Sequence, residues 1–290
     1  AHSFGPLGMD SMKYTLALFV LRLLGHLPLG GARVLGATVG LLAWASRGRS
    51  YKITVANLAR CFPDWSPARR RRLVRQSLME TGKTVAEAPI LWRLSARALF
   101  KRIHEVEGGE GIEAALNKGK GVLVLAPHLG NWELVAPFLA SYKPLTALYQ
   151  PPRQQHMHEF VLRGRSKEGI RMVPTNGRGV AQLLASLKRH EIVGVLPDQV
   201  PDAGSGVQKS LFFDQPASTM TLVHSLIKRT GCSVLLVFAQ RVPRGFRVRV
   251  MEPDPDIYSE TQAVSVEALN RSIEAAVRFA PAQYQWEYKR

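Results

Sequence analysis

Cysteine is nearly missing from the 290 residues, with only Cys61 and Cys232 present. Two thiols cannot build a disulfide framework or a cysteine-rich zinc site, and so low a count fits a reducing, cytoplasm-facing compartment. The chain has no G-x-x-x-x-G-K-[ST] loop, no G-x-G-x-x-G after a strand and no G-x-S-x-G elbow, which disfavours nucleotide-dependent chemistry and an enzymic serine nucleophile. His156 and His158 lack any companion cysteine or carboxylate pattern, so a zinc site is not expected there. Acidic side chains are scarce: 22 Asp plus Glu face 39 Lys plus Arg, a net charge of +17 with neutral His. That surplus calls for an acidic partner.

What is present is globular in kind. Apolar residues make up 46% and charged residues 21%, which excludes disorder and collagen-like or low-complexity architectures. Residues 1–8 (A-H-S-F-G-P-L-G) precede Met9 and Met12 and read as an expression-tag remnant. From Lys13 the chain turns apolar, and again from Val34 to Ala45, but Arg22, His26, Pro28 and Arg33 interrupt. Spanning a bilayer takes about 18–20 apolar residues. Residues 9–50 are therefore expected to form a membrane-associating helical hairpin, flanked by Arg47, Arg49 and Lys52, lying on or partly in a lipid surface. Gly36 and Gly40 within it suit close helix contact. A signal peptide is the alternative, and Arg22 in the would-be apolar centre speaks against it.

The remainder, 51–290, is expected to be one body with a helical part to about 104 and an α/β part from about 105. Ser66-Pro67 writes a helix start, followed by Arg69 to Arg72, whose plainest role is a solvated face. From Gly108 short apolar runs alternate with amphipathic stretches, an α/β signature. Strands are predicted at about 121–126, 145–149, 192–196, 233–239 and 246–250. Helices are predicted at about 131–141, 155–168, 177–189, 217–230 and 264–279. The fold expected is a mostly parallel central sheet flanked by helices, closing on an antiparallel hairpin through Pro243-Arg244-Gly245.

Ligands of open α/β sheets gather at the carboxyl ends of strands, and two such ends carry chemistry. The first reads A-P-H-L-G-N-W-E, with His128 and Glu133 five positions apart; no other histidine of the eight has an acidic residue at that offset. Gly130 permits a tight turn and Asn131 can cap the helix that follows. Glu133 is expected to hydrogen-bond one imidazole nitrogen while the other takes a proton from a hydroxyl. Without an enzymic serine, the nucleophile would be the substrate. The second end, L-P-D-Q-V-P, presents Asp198 and Gln199, which a simple turn would also explain. Arg153, Arg163, Arg165 and Lys167 follow the strand ending at Tyr149; their guanidinium groups suit phosphate or an oxyanion.

Several ordered blocks carry a resemblance: N-L-A-R-C-F-P at 57–63, H-L-G-N-W-E at 128–133, Y-Q-P at 149–151 with Arg163 and Arg165 downstream, L-P-D-Q at 196–199, L-F-F-D-Q-P-A-S-T at 211–219 and Q-Y-Q-W-E-Y-K-R at 283–290. Together they resemble the bacterial lipid A biosynthesis late acyltransferases, the lauroyl and myristoyl transferases of the lysophospholipid acyltransferase superfamily. The resemblance implies transfer of an acyl chain from acyl carrier protein, or acyl-CoA, to a hydroxyl of a membrane lipid at the cytoplasmic face of the inner membrane, with no cofactor. It carries His128 over as general base, Glu133 as its partner, Arg163 and Arg165 as the family's arginine pair and Asp198 as its strand-end aspartate; these last three, together with Asn131, are expected as oxyanion or substrate contacts. Two positions depart from the family pattern: Gln150 stands where arginine is usual, and Asp214 where a glycine follows the two phenylalanines. The acceptor expected is a lipid A precursor, and the two departures leave another lipid, such as a lysophospholipid or aminolipid, as the alternative. A different class, a basic membrane- or nucleic-acid-binding protein without catalysis, would explain +17, but no RNA- or DNA-binding module stands out and nucleic acid is not an expected partner.

Overall fold

The computed structural model describes residues 8–152, 154–200 and 206–288. The tag remnant read at 1–8, apart from Gly8, lies outside the described residues, as does Arg153. Five helices open the chain: α1 (Gly8–Leu24), α2 (Leu29–Ala45), α3 (Arg49–Cys61), α4 (Pro67–Arg93) and α5 (Ala96–Phe100). There follow β1 (Ile103–Glu107), α6 (Glu110–Asn117), β2 (Val122–Leu125), α7 (Val135–Ala140), β3 (Leu145–Tyr149), α8 (Gln155–Arg165), β4 (Ile170–Pro174), α9 (Gly177–Lys188) and β5 (Ile192–Val195). A hairpin of β6 (Val207–Phe212) and β7 (Gln215–Met220) leads to α10 (Leu222–Thr230), β8 (Ser233–Val242), β9 (Gly245–Met251) and α11 (Gln262–Phe279).

Seven strands form one sheet in the order β1-β9-β8-β2-β5-β3-β4, parallel at every pairing except β8 with β9. The fold is thus the helix-flanked, mostly parallel sheet expected. The central strands are apolar runs because both faces are covered. Leu123, Leu125, Val193 and Leu236 face α9, α10 and α11, whereas Val122, Val124, Ile192 and Val237 face α4, α6 and α7. Four strands were not foreseen. β1 and β4 are edge strands, with exposed His104, Glu105 and Arg171 breaking the apolar signal, as edges commonly do. β7 occupies the front half of the helix predicted at 217–230. Its alternately buried Ala217 and Thr219 have a strand's period of two, and the helix begins only at Leu222.

The β6–β7 turn explains Asp214. Phe212 pairs with Gln215, leaving a two-residue loop in which Phe213 (φ 48°) and Asp214 (φ 58°) are both left-handed, the geometry of a type I′ hairpin turn. A glycine meets that demand without a Cβ penalty, and aspartate tolerates it better than most residues. Asp214→Gly is expected to raise stability by about 0.5–1 kcal/mol, read as a higher urea midpoint at unchanged slope.

α2 does not stand apart from the body. Gly36 and Gly40 let it touch the backbone of α4 at Gly82 and Leu78, where an added Cβ would lie 2.4 and 2.2 Å from carbonyl oxygens. α1 is more open, exposing Leu16, Phe19, Val20 and Leu23, and α2 exposes Val34, Val39 and Leu42. Among the described residues no single helix is long and apolar enough to cross a membrane; α2 and α3 pass that test only as a pair bent by 81°. Ser66 caps α4 by accepting from the Arg69 N–H (3.3 Å), as its sequence requires. Of the arginine run, Arg69 stacks on Trp65 and Arg70 donates to the Phe62 and Pro63 carbonyls.

Candidate active site

The register of the sheet makes the site. Leu125 of β2 pairs with Val195 of β5, so the residues three positions beyond each strand, His128 and Asp198, emerge side by side. Asp198 holds the histidine twice: Oδ1 lies 2.8 Å from the imidazole Nδ1, and Oδ2 accepts from the His128 backbone N–H at 2.8 Å. Both residues are buried. A carboxylate at Nδ1 fixes the tautomer with the proton on that nitrogen and leaves Nε2 as the base. Nε2 faces the side-chain amide of Gln199 at 3.2 Å.

The hydrogen bond expected from Glu133 to the imidazole is not made, because both ring nitrogens have other partners. Glu133 instead accepts from Trp92 Nε1 (3.0 Å) and takes a two-pronged grip from Arg165, Nε to Oε2 at 3.0 Å and Nη2 to Oε1 at 2.5 Å. Arg165 sits among three aromatic rings, 4.9 Å from the Trp132 centroid, 5.6 Å from Tyr149 and 5.8 Å from Trp92. Its Nη1 makes no hydrogen bond among the described residues, so a cation with unspent donors is held rigidly beside the imidazole's cavity.

Two of the other predicted residues fall elsewhere. Arg163 is exposed and does not line the cavity; two residues along a helix turn a side chain by roughly 200°, so Arg163 and Arg165 cannot share a face. Asn131 is fully buried and structural: its Nδ2 donates to Glu87 Oε2 (2.8 Å) and its backbone N–H to the Ala239 carbonyl (2.8 Å). It occupies the position before the turn Trp132–Leu134 but makes no side-chain cap. Gly130 is left-handed (φ 66°), and a Cβ there would meet the Ala239 carbonyl oxygen at 2.1 Å. Glu87 lies in a buried cluster, accepting from Arg241 of β8 and Arg33 of α2. Burial alone would raise its carboxyl, but the two guanidinium groups outweigh that and hold it below the ordinary range.

The C-terminal segment completes the site. Gln285 N–H donates to the His128 carbonyl (3.1 Å), Gly130 N–H to the Gln283 carbonyl (3.0 Å), and the Tyr288 ring lies 6.1 Å from the imidazole. Asn57, from the N-L-A-R-C-F-P block, ties this segment down through the Trp286 and Tyr288 carbonyls, both at 2.8 Å. Glu287, bonded to Thr81, is pushed above the ordinary carboxyl range by burial, against the pull of Thr81 and of the imidazole. Sequence reasoning assigned no role to Trp92, Gln285 or Tyr288; the one signal was the closing block containing Gln285 and Tyr288.

His128 and Arg165 border a cavity of about 650 Å³ between the sheet and helices α4, α7 and α8. Its inner wall is hydrocarbon, from Val124, Leu139, Leu145, Ala147 and Met172. Lys167 also lines it, donating to the Leu91 and Leu94 carbonyls (both 2.7 Å), and burial pushes its ammonium below the ordinary range. Leu21 of α1, Gln150, Thr175 and Tyr288 stand at its polar-to-apolar margin, with the Thr175 hydroxyl hydrogen-bonded to Gln150. Asp214 does not line it. Among the described residues no group of three His, Cys, Asp or Glu side chains is arranged to hold a metal ion. An oriented imidazole and a cation lining one apolar cavity suit attack on the carbonyl of a long-chain acyl group.

Comparison with known proteins agrees with that chemistry. The family model described as bacterial lipid A biosynthesis acyltransferase matches residues 9–290. The chain is 26% identical over 284 residues to the lipid A biosynthesis palmitoleoyltransferase of Escherichia coli (strain K12), covering 96% of this chain and 91% of that protein. It is 26% identical over 277 residues to the lipid A biosynthesis lauroyltransferase of the same organism, covering 95% and 90%. A phosphatidylinositol mannoside acyltransferase of Mycobacterium tuberculosis (strain ATCC 25618 / H37Rv) is 25% identical over 212 residues, 72% of this chain and 66% of that protein. Matched from residue 9 to its last residue, the chain is an acyltransferase and belongs to the bacterial lipid A biosynthesis acyltransferase family.

Proposed function

We propose that this protein transfers a fatty acyl chain from a thioester, carried by acyl carrier protein or CoA, to a hydroxyl of a lipid A precursor at the cytoplasmic face of the inner membrane. The observation that carries the reading is the His128–Asp198 pair opening on an apolar cavity. The acyl chain lies in the cavity with its thioester carbonyl at the His128 end. The lipid hydroxyl takes the place of the Gln199 amide at Nε2 and gives its proton to that nitrogen as its oxygen bonds to the carbonyl carbon. Asp198 stabilises the imidazolium through Nδ1–H, and Arg165 stabilises the oxyanion through Nη1. Collapse breaks the carbon–sulfur bond, and the imidazolium returns its proton to the departing thiolate. In this mechanism Glu133 positions Arg165 and does not touch the imidazole.

The apolar faces of α1 and α2 support a membrane site, since Leu21, from the same helix as the exposed Phe19 and Leu23, borders the cavity. Exposed Arg47, Arg49 and Lys52 at the start of α3 suit an anionic leaflet at about 1 kcal/mol each. The hairpin at 9–50 would then act as the membrane-facing part of one body. Gln150 at the cavity margin favours a second reading of the acceptor alone, a lysophospholipid or aminolipid.

The test incubates the protein with acyl-carrier-protein thioesters and a panel of micellar acceptors (lipid A precursor, lysophospholipid and aminolipid), with products identified by mass spectrometry. One acceptor gaining one chain is expected. Product from none of them, with thioester loss unchanged in His128→Ala, would overturn the reading. Arg165→Ala is expected to lower kcat about 10²-fold, the loss typical of one oxyanion donor, with a smaller change in KM.

A further inference from the structure

We propose that Gly194, in the middle of β5, sets the length of the acyl chain this protein accepts, an inference that rests on the acyl-transfer reading above. β5 reads Ile-Val-Gly-Val, fully buried, an inner strand of the sheet between β2 and β3. A glycine inside a central strand weakens it and marks close backbone crowding, a special conformation or the approach of a ligand. The first two are excluded here. Gly194 has no left-handed φ, and an added Cβ would meet only Ala147 Cβ at 3.7 Å and Leu145 Cδ2 at 4.0 Å, ordinary contacts. By contrast Gly82, Gly130 and Gly179 would each drive a Cβ to within 2.1 Å of a carbonyl oxygen. The missing side chain at 194 is therefore cavity space.

The register says where that space lies. Gly194 pairs with Val124 on one side and Ala147 on the other, and all three line the cavity on the same face of the sheet. The next residues of that face toward the strand starts, Val122 and Ile192, are fully buried and do not line it. On β2 and β5 the cavity therefore ends at the level of Gly194, and on β3 Leu145, the partner of Ile192, closes it with a side chain that reaches up to 4.0 Å from where a Gly194 Cβ would lie. Val124 precedes His128 by four residues, at most about 13 Å at ~3.3 Å per extended residue, so a chain whose carbonyl sits at the imidazole and which runs down the cavity brings its tail over Gly194. A methyl group placed there occupies the floor that the last carbons need.

Octanoyl, decanoyl, lauroyl, myristoyl and palmitoyl carrier-protein thioesters, offered with the acceptor found above, provide the test. Gly194→Ala should lower kcat/KM for the longest chain the wild type uses well by at least about 10-fold relative to the next shorter one, the discrimination one methylene brings in an apolar pocket. Gly194→Val should shift the preference further. Met172→Ala, on the same sheet face two strands along, where Met172 pairs with Ala147, should shift it toward longer chains and keeps the test open should the Gly194 variants not fold. Val193→Ala, on the same strand but the other face, should leave the order of chain lengths unchanged. An equal loss for every chain in folded Gly194→Ala, or an unchanged order in both Gly194→Ala and Met172→Ala, would overturn the proposal while leaving acyl transfer intact. Wild-type protein transferring no chain at all would overturn acyl transfer itself.

Discussion

His128→Ala is expected to lower kcat/KM about 10³–10⁴-fold, and Asp198→Asn nearly as much, without loss of the fold. The second half of that expectation comes from the geometry. Asp198 offers one oxygen to the His128 backbone N–H and the other to Nδ1. An asparagine keeps one acceptor. Buried backbone N–H groups demand a partner, so the amide oxygen goes to the main chain and the NH2 group points at Nδ1. Nδ1 must then accept, the ring proton moves to Nε2, and the imidazole presents a donor where the mechanism needs a base. Because the two residues act as a unit, the double variant should be little worse than either single one. Transfer assays on variants with wild-type circular dichroism check this; an Asp198→Asn enzyme within a few-fold of wild type would remove the carboxylate from the mechanism.

The largest effect on stability is expected at Glu87. Its carboxylate is fully buried and receives Arg241, itself 4% exposed at the side chain, together with Arg33 and Asn131. Glu87→Ala leaves a buried guanidinium without its main counter-charge and should cost about 3–5 kcal/mol in urea unfolding. Glu87→Leu combined with Arg241→Met removes both charges and should recover much of that loss. The pH dependence has a defined sign. The folded-state carboxyl titrates below its unfolded value, so its contribution is present above the ordinary range near pH ~4.3 and is lost as pH falls through the folded value. The wild type should therefore lose stability on acidification by more than the double variant does. The same cluster holds Asn131, next to Gly130 at the tight turn, so Glu87→Ala should also depress activity at temperatures where the protein remains folded.

The sheet's middle was legible because strands buried on both faces are written as unbroken apolar runs, as in Val122–Leu125 and Ile192–Val195. β1, β4 and the β6–β7 hairpin were not, since their polar faces dilute the pattern that a buried strand shows. The position of the imidazole beyond a strand end and before a left-handed glycine was legible too. Its partner was not. Nearness in sequence favoured Glu133, whereas the pairing of Leu125 with Val195 brings up Asp198 from seventy residues away, and strand order is not written locally. The arginine pair shows the same limit in reverse: Arg163 and Arg165 look equivalent as letters and are separated by helical rotation alone.

The Gln285 and Gln283 contacts to His128 and Gly130 carry one consequence for biogenesis. A nascent polypeptide that has already made its imidazole, carboxylate and greasy pocket still lacks the brace that steadies them until the stretch beyond α11 has left the ribosome.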